Sequence, residues 1–176
     1  MDRKSLLQDI VAENERLSIS RFIPDKGIDL YNLTVEQGLE GIVAKRKESR
    51  YYIGKTTKEW LKIKNLKDDD FVICGYIKKE NNVVSLVLGA YDDNRLVYQS
   101  RVTLGVSNSA FEQIRHAEAA ENPFSELSDE SVTWIKPTLV CTVQYMMRTK
   151  EGGLRQPVFK GLRDDKAPQD CIAHSQ

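Results

Sequence analysis

The sequence is poor in histidine and cysteine, the residues on which many metal sites, catalytic triads and disulfide frameworks depend. It has only two histidines, His116 and His174, and its three cysteines, Cys74, Cys141 and Cys171, are far apart with no C-x-x-C pair. This disfavours a histidine-rich metal site, a serine-type triad, a zinc site and a disulfide framework, and predicts buried or free thiols in a reducing compartment. No apolar run is long enough to cross a bilayer or act as a secretory signal, so we expect a cytoplasmic protein without a membrane partner.

The chain of 176 residues has no net charge, but its charge is unevenly distributed. Positions 45–67 hold nine basic and two acidic residues, whereas positions 112–130 hold six acidic residues and one arginine. A polyanion would therefore bind at 45–67. With 40% hydrophobic and 30% charged residues, the chain is typical of a soluble globular protein of one good-sized or two small domains.

Hydrophobic patterns up to position 65 predict a mixed α+β segment. Helical spacing predicts helices over 5–14 and 27–38, with Gly38 as the stop of the second. Alternation of apolar and polar residues predicts strands over 17–23, 40–46 and 58–64.

Positions 65–70, "NLKDDD", are polar and predict a joint without strand structure. Beyond it, the patterns predict strands over 71–77, 83–91 and 96–105, a helix over 108–119, and strands over 139–149 and 154–161. This order fits an all-β, five-stranded Greek-key OB barrel with one helix. An isolated hairpin stack or an SH3-like barrel fits the strand count almost as well. The predicted domains are 1–66 and 67–176.

Three short motifs could carry chemistry: "EGIVAKR" from Glu40, "WLKIK" from Trp60 and "RQPVFKGLRDDK" up to Lys166. In a strand, Trp60, Lys62 and Lys64 share one face, which puts two ammonium groups about 7 Å apart. Each motif also has an ordinary interpretation, as a surface glutamate, a solvated lysine face or a solvated terminal strand. By parity, Lys45 faces away from Glu40, so we do not expect it in the same site.

In their order and spacing, the three motifs resemble motifs IV, V and VI of the ATP-dependent DNA ligases, members of the covalent nucleotidyltransferase superfamily. The phrases "DRKSLLQDIV", "GLEGIVAKRKES", "LVLGAYDD" and "WIKP" resemble the ligase module of bacterial ligase D in particular. The resemblance covers positions 2–168. It implies that 1–66 are the end of an ATP-grasp-like adenylation domain and that 67–176 form an OB-fold domain.

The resemblance also implies roles for individual residues. Glu40 would help to bind the catalytic Mg²⁺ or Mn²⁺, and Lys62 and Lys64 would contact the α-phosphate of ATP or of the adenylate. Arg163 and Lys166 would hold the departing pyrophosphate when the OB domain closes over ATP.

The resemblance implies that the substrate is nicked or broken duplex DNA. The process would be DNA repair and recombination by non-homologous end joining, in the bacterial cytosol or nucleoid, with Ku as a partner. Asp165 would orient its neighbours in motif VI. The basic residues with an expected DNA-binding role are Arg46, Lys47, Arg50, Lys55, Arg155 and Lys160.

The sequence departs from the family in one respect that matters for catalysis. Ligases attack ATP with the lysine of a K-x-D-G motif, and no K-x-D-G occurs here. We therefore expect that the chain begins inside the adenylation domain, past its nucleophile, and that it cannot self-adenylate alone. Strands without their partners would expose sheet edges, which predicts a homodimer through the N-terminal segment, or disorder there.

The sequence is also compatible with two other functions. One is a stand-alone OB-fold module without catalysis, which would bind nucleic acid through basic grooves and stacking tyrosines. The tyrosines that could stack are Tyr51, Tyr52, Tyr76, Tyr91 and Tyr98. The other is a relative of the RNA-capping guanylyltransferases, which the ending "FKGLRDDK" fits poorly.

Overall fold

The structure, a computed structural model, describes residues 2–173. The chain divides into two compact units between Asn65 and Leu66. None of the helices in 2–173 is both long enough and apolar enough to cross a membrane.

Within residues 2–65, the N-terminal unit contains two α-helices and one hairpin. They are α1 (Asp2–Ile10), α2 (Gly27–Glu36), β1 (Gly41–Lys45) and β2 (Trp60–Lys64), with β1 and β2 antiparallel. After α2 the chain turns at Gly38, whose φ of +64° lies in the left-handed region that glycine adopts without strain. Gly38 therefore ends the helix, as the sequence predicts.

The strand predicted over 17–23 is wrong. Only the single pair Asn14–Leu17 forms, closing a tight turn through two backbone hydrogen bonds. The backbone N–H of Ile19 then donates to the carboxylate of Glu13 rather than to a neighbouring strand. Alternation predicts which faces a strand would have, but a strand forms only where another edge accepts its hydrogen bonds.

The apolar side chains of the N-terminal unit are not gathered into a core. Its buried residues, among those described, are the polar Thr34 and Ser49. Its exposed large apolar residues are Leu6, Leu7, Ile10, Leu17, Phe22, Ile23, Ile28, Leu33, Val35, Leu39, Val43, Tyr51, Tyr52, Ile53, Trp60, Leu61 and Ile63. So much exposed apolar surface is typical of an interaction site.

Over residues 66–173, the C-terminal unit is a five-stranded barrel with one α-helix. Its elements are β3 (Lys67–Lys78), β4 (Val84–Asp92), β5 (Arg95–Val102), α3 (Asn108–Arg115), β6 (Thr133–Tyr145) and β7 (Val158–Arg163). The strands pair antiparallel in the order β5-β4-β3-β6-β7. A parallel bridge between Leu104, just after β5, and Val158 of β7 joins the two edges of the sheet. There, the backbone N–H of Phe159 donates to the carbonyl oxygen of Leu104 at 2.8 Å. The predicted OB fold is confirmed.

The inner faces of these strands form the hydrophobic core. Phe71, Ile73, Leu86 and Leu88 are among its fully buried side chains, and Ile114 of α3 joins them. All three cysteines are buried free thiols, as predicted.

The predicted joint at 65–70 is wrong from Lys67 onwards, because β3 begins there. Two of its three acidic side chains accept hydrogen bonds from β6: Asp69 from the hydroxyl of Tyr145 and Asp70 from the hydroxyl of Thr142. A polar run therefore forms a strand once the neighbouring strand supplies donors to its side chains.

Several boundaries also differ from the predicted ones, and α1 (Asp2–Ile10) begins and ends earlier than the predicted 5–14. β6 begins at Thr133, ahead of Pro137, since a register shift opposite Ile73–Gly75 leaves the proline outside the paired residues. α3 ends at Arg115 instead of 119, and β7 begins at Val158 instead of 154.

Candidate functional site

Two lysines and a tryptophan lie on one face of the β1–β2 hairpin. In the register, Lys62 is opposite Val43, Lys64 is opposite Gly41 and Trp60 is opposite Lys45. Directly opposed residues of an antiparallel pair project to the same face, and residues two apart on one strand share it as well. The lysine face is therefore built by local strand geometry alone.

Lys45 belongs to this face too, which the sequence did not predict. Its ammonium nitrogen lies 4.1 Å from the centre of the Trp60 ring, within the range of a cation–π contact. The indole N–H of Trp60 donates to the hydroxyl of Ser49 at 2.9 Å, and this bond holds the ring in place. Parity within β1 separates Lys45 from Glu40, but only the pairing of β1 with β2 reveals that Lys45 shares a face with the other lysines.

Glu40 directly precedes β1, at a position fixed by its neighbour. Gly41 has a φ of +124°, and a Cβ there would lie 2.1 Å from the carbonyl oxygen of Ile63, so only glycine fits. The carbonyl of Glu40 accepts the N–H of Asn65 at 2.9 Å. No group of three or more His, Cys, Asp or Glu side chains suited to a metal is found in 2–173. One carboxylate is compatible with Mg²⁺ that takes its other ligands from phosphate and water.

The two cations predicted near the C-terminus converge on one carboxylate of β3. Arg163, the last residue of β7, donates through Nη1 to Asp70 Oδ2 at 3.2 Å, and Lys166 donates to the same oxygen at 2.9 Å. Asp165 binds Arg163 from the other side, through Nε at 2.6 Å and Nη2 at 2.7 Å. This two-bond contact fixes the orientation of the Arg163 guanidinium.

These contacts shift the proton affinities of the groups involved. Burial on its own would raise the pKa of Asp70, but the hydrogen bonds from Thr142 and Lys166 and the charges of Lys166 and Arg163 outweigh it, so the pKa is lowered. The bond to Asp70 raises the pKa of Lys166, and the bond to Arg163 lowers the pKa of Asp165 to about 2. All four groups are charged at neutral pH.

Asp70 is the residue of this cluster that the sequence did not single out. The local sequence around it is the acidic run "KDDD", whose polar pattern predicts a joint between domains. Asp70 lies two strands away from the basic end of β7, with β6 between them, so its place in the cluster follows from strand pairing that the local pattern does not contain.

The expected DNA-binding residues fall into two groups that lie in different units. The first group, Arg46, Lys47, Arg50 and Lys55, is exposed in the connection between β1 and β2. Lys47 also pairs with Asp25. Arg155 and Lys160 are exposed in the C-terminal unit, before and within β7.

Family models match both units of this chain. Residues 1–64 match the ATP dependent DNA ligase domain, and residues 79–166 match the ATP dependent DNA ligase C terminal region. The chain belongs to the ATP-dependent DNA ligase family. Within that family it is of the LigD type and corresponds to the C-terminal part of the ligase.

Individual relatives agree with this assignment. The multifunctional non-homologous end joining DNA repair protein LigD of Mycobacterium tuberculosis is 31% identical, over 97% of this chain and 24% of its own length. The crystal structure of the ligase domain of M. tuberculosis LigD matches with a TM-score of 0.55 and 30% identity, over 98% of this chain and 59% of that one. A mycobacterial DNA ligase D complexed with ATP and MES also has a TM-score of 0.55, with 31% identity over the same shares. The chain thus spans about a quarter of the length of this curated LigD protein.

Proposed function

We propose that this chain supplies phosphate-binding residues for ATP-dependent DNA ligation, the sealing of nicked or broken duplex DNA in end joining. The observation that carries the proposal is the lysine face of β1–β2, where Lys62 and Lys64 share one side of the hairpin. Fixed cations stabilise a phosphoryl-transfer transition state because its charge is spread over the phosphate oxygens.

In this proposal, Lys62 and Lys64 contact the α-phosphate of ATP or of the adenylate. Glu40 would help to hold Mg²⁺ or Mn²⁺ through its carboxylate. The metal, when bound, neutralises charge that develops on the phosphates. Arg163 and Lys166 bind the pyrophosphate that leaves, with Arg163 held by Asp165.

The exposed cations contact the DNA backbone. Such contacts are strongly salt-dependent and carry no base specificity. The group between β1 and β2 suits this role because it lies in the basic region 45–67, and Arg155 and Lys160 present charge from the barrel.

We further propose that the chain alone does not self-adenylate, since it contains no K-x-D-G lysine. Incubation of the chain with α-labelled ATP and Mg²⁺ should leave no AMP attached to the protein through a bond stable in denaturant. A labelled protein band of this kind would contradict the proposal.

We also propose a homodimer through the N-terminal unit, which its exposed apolar surface supports. The bacterial cytoplasm as the location and Ku as a further partner are proposed from the family alone. One chain has a mass of 20.1 kDa. Light scattering should give about twice that mass. A monomer with an ordered N-terminal unit would contradict the homodimer.

The alternative, a stand-alone OB-fold module that binds single strands, has less support. Of the five candidate stacking tyrosines, Tyr76 packs edge-on against Phe111 at 5.1 Å, and Tyr91 and Tyr98 pack against the core. Fluorescence anisotropy with labelled DNA separates the two functions. A ligase should prefer a nicked duplex, whereas preference for a single strand of equal length would favour the alternative.

A further inference from the structure

We propose that Asp70 is a positioning residue for the pyrophosphate-binding cations, holding Arg163 and Lys166 side by side so that both can bind one polyphosphate. This inference rests on the proposed function of those two cations, and it assigns a role to an acidic residue on a different strand.

Asp70 is fixed by the barrel itself. It pairs with Thr142 of β6, which in turn pairs with Gly161 of β7, so the three residues form a row across adjacent strands. The hydroxyl of Thr142 donates to Asp70 Oδ1 at 2.6 Å, which fixes the rotation of the carboxylate and turns Oδ2 towards the cations. The side chain is only 14% exposed.

The cations, by contrast, are long side chains at the end of β7 and in the turn that follows it. Arg163 Nη1 and Lys166 Nζ cannot be more than about 6 Å apart, because both lie within 3.2 Å of the same oxygen. Two positive charges at this separation repel each other. Without the carboxylate between them, we expect the side chains to move apart and to sample many rotamers.

Asp70 holds the cations without using up their donors. A guanidinium has five N–H groups and an ammonium has three. The contacts with Asp70 and Asp165 use three of the five on Arg163, and the contact with Asp70 uses one of the three on Lys166. The two side chains are 37% and 28% exposed, so a phosphate oxygen can bind from solvent without displacing Asp70.

Inorganic pyrophosphate, titrated into the full chain, tests the proposal. Binding is followed through the side-chain Nε–H signal of Arg163 in ¹⁵N NMR, identified by its loss in Arg163→Lys. We expect Asp70→Asn to weaken pyrophosphate binding about tenfold, the loss of one well-placed charged contact. Asp70→Glu should restore part of the affinity.

Asp68→Asn is the matched control, because it makes the same change of charge two residues away on β3 at an exposed position. Thr142→Val provides a second variant that keeps every charge but frees the Asp70 carboxylate, and it should weaken binding several-fold. Its result decides the matter if Asp70→Asn fails to fold in a thermal melt.

The possible outcomes separate this inference from the proposed function. Weaker binding in Asp70→Asn and Thr142→Val, with Asp68→Asn like wild type, supports the positioning role. Equal or tighter binding in Asp70→Asn means that Asp70 only competes with the anion, which overturns the inference and leaves the proposed function intact. If the wild-type chain binds no pyrophosphate, both are overturned.

Discussion

Replacement of Gly105 by alanine should weaken the contact that closes the barrel, between β7 and the chain that follows β5. Gly105 follows β5, has a φ of +88°, and a Cβ there would lie 2.2 Å from the carbonyl oxygen of Phe159. That carbonyl belongs to the residue whose N–H donates to Leu104 at 2.8 Å, where β7 meets the chain leaving β5. The substitution therefore strains the backbone and pushes β7 away at the same point.

The loss of stability has two contributions, the backbone strain at position 105 and the lost hydrogen bond. An alanine forced into the left-handed region costs about 1–2 kcal/mol. Loss of the closing hydrogen bond costs about 1 kcal/mol more. A total of roughly 2–3 kcal/mol is a large part of the stability of a small domain and should lower the melting temperature by about 10 °C or more.

Urea and thermal unfolding, followed by circular dichroism, measure this loss. Gly161→Ala on β7 is the matched control, because a Cβ there meets no atom within 4 Å. We expect the control to lie within about 0.5 kcal/mol of wild type. If Gly105→Ala is as stable as Gly161→Ala, the barrel is not closed at this point and the reasoning is wrong.

Three further predictions concern charge and burial. The lowered pKa of Asp70 means that its ionised form stabilises the fold above the unfolded value near 3.9, and that this stability is lost as the pH falls through the lower folded value. The difference in unfolding free energy between wild type and Asp70→Asn should thus shrink below pH 4, and a difference independent of pH would contradict this. Burial raises the pKa of the Cys74 thiol to about 12, so a maleimide should label it only in urea, and rapid labelling of the native protein would argue against a packed core. Lys45→Ala should weaken ATP binding several-fold, because Lys45 lies on the same face as Lys62 and Lys64. Lys55→Ala, with the same loss of charge, should leave ATP binding unchanged. Equal effects of the two substitutions would mean that Lys45 is not part of the phosphate-binding face.

Local pattern was enough to predict most of the elements. The glycine at position 38 ended α2 because it adopts a left-handed conformation there, and apolar runs such as 71–77 became buried strands because a barrel core needs them. The shared face of Trp60, Lys62 and Lys64 likewise follows from the two-residue period of a strand, which needs no knowledge of the rest of the fold.

What could not be predicted depends on which strands pair. The region 17–23 has the alternation of a strand but only one bridge partner at Leu17, and the acidic run before Phe71 looks like a joint until Thr142 and Tyr145 supply donors to it. Lys45 and Asp70 were missed for the same reason. Each reaches its partners across neighbouring strands, and register is a property of the folded chain.

The central claim, that this chain binds the phosphates of ATP through Lys62 and Lys64, is tested most directly by titrating ATP and Mg²⁺ into the ¹⁵N-labelled chain. We predict chemical shift changes at β2 and at the end of β7, with at least tenfold weaker binding in Lys62→Ala/Lys64→Ala than in the control Lys55→Ala/Lys58→Ala. Shift changes confined to other surfaces, or equal affinities in the two double variants, would contradict the claim.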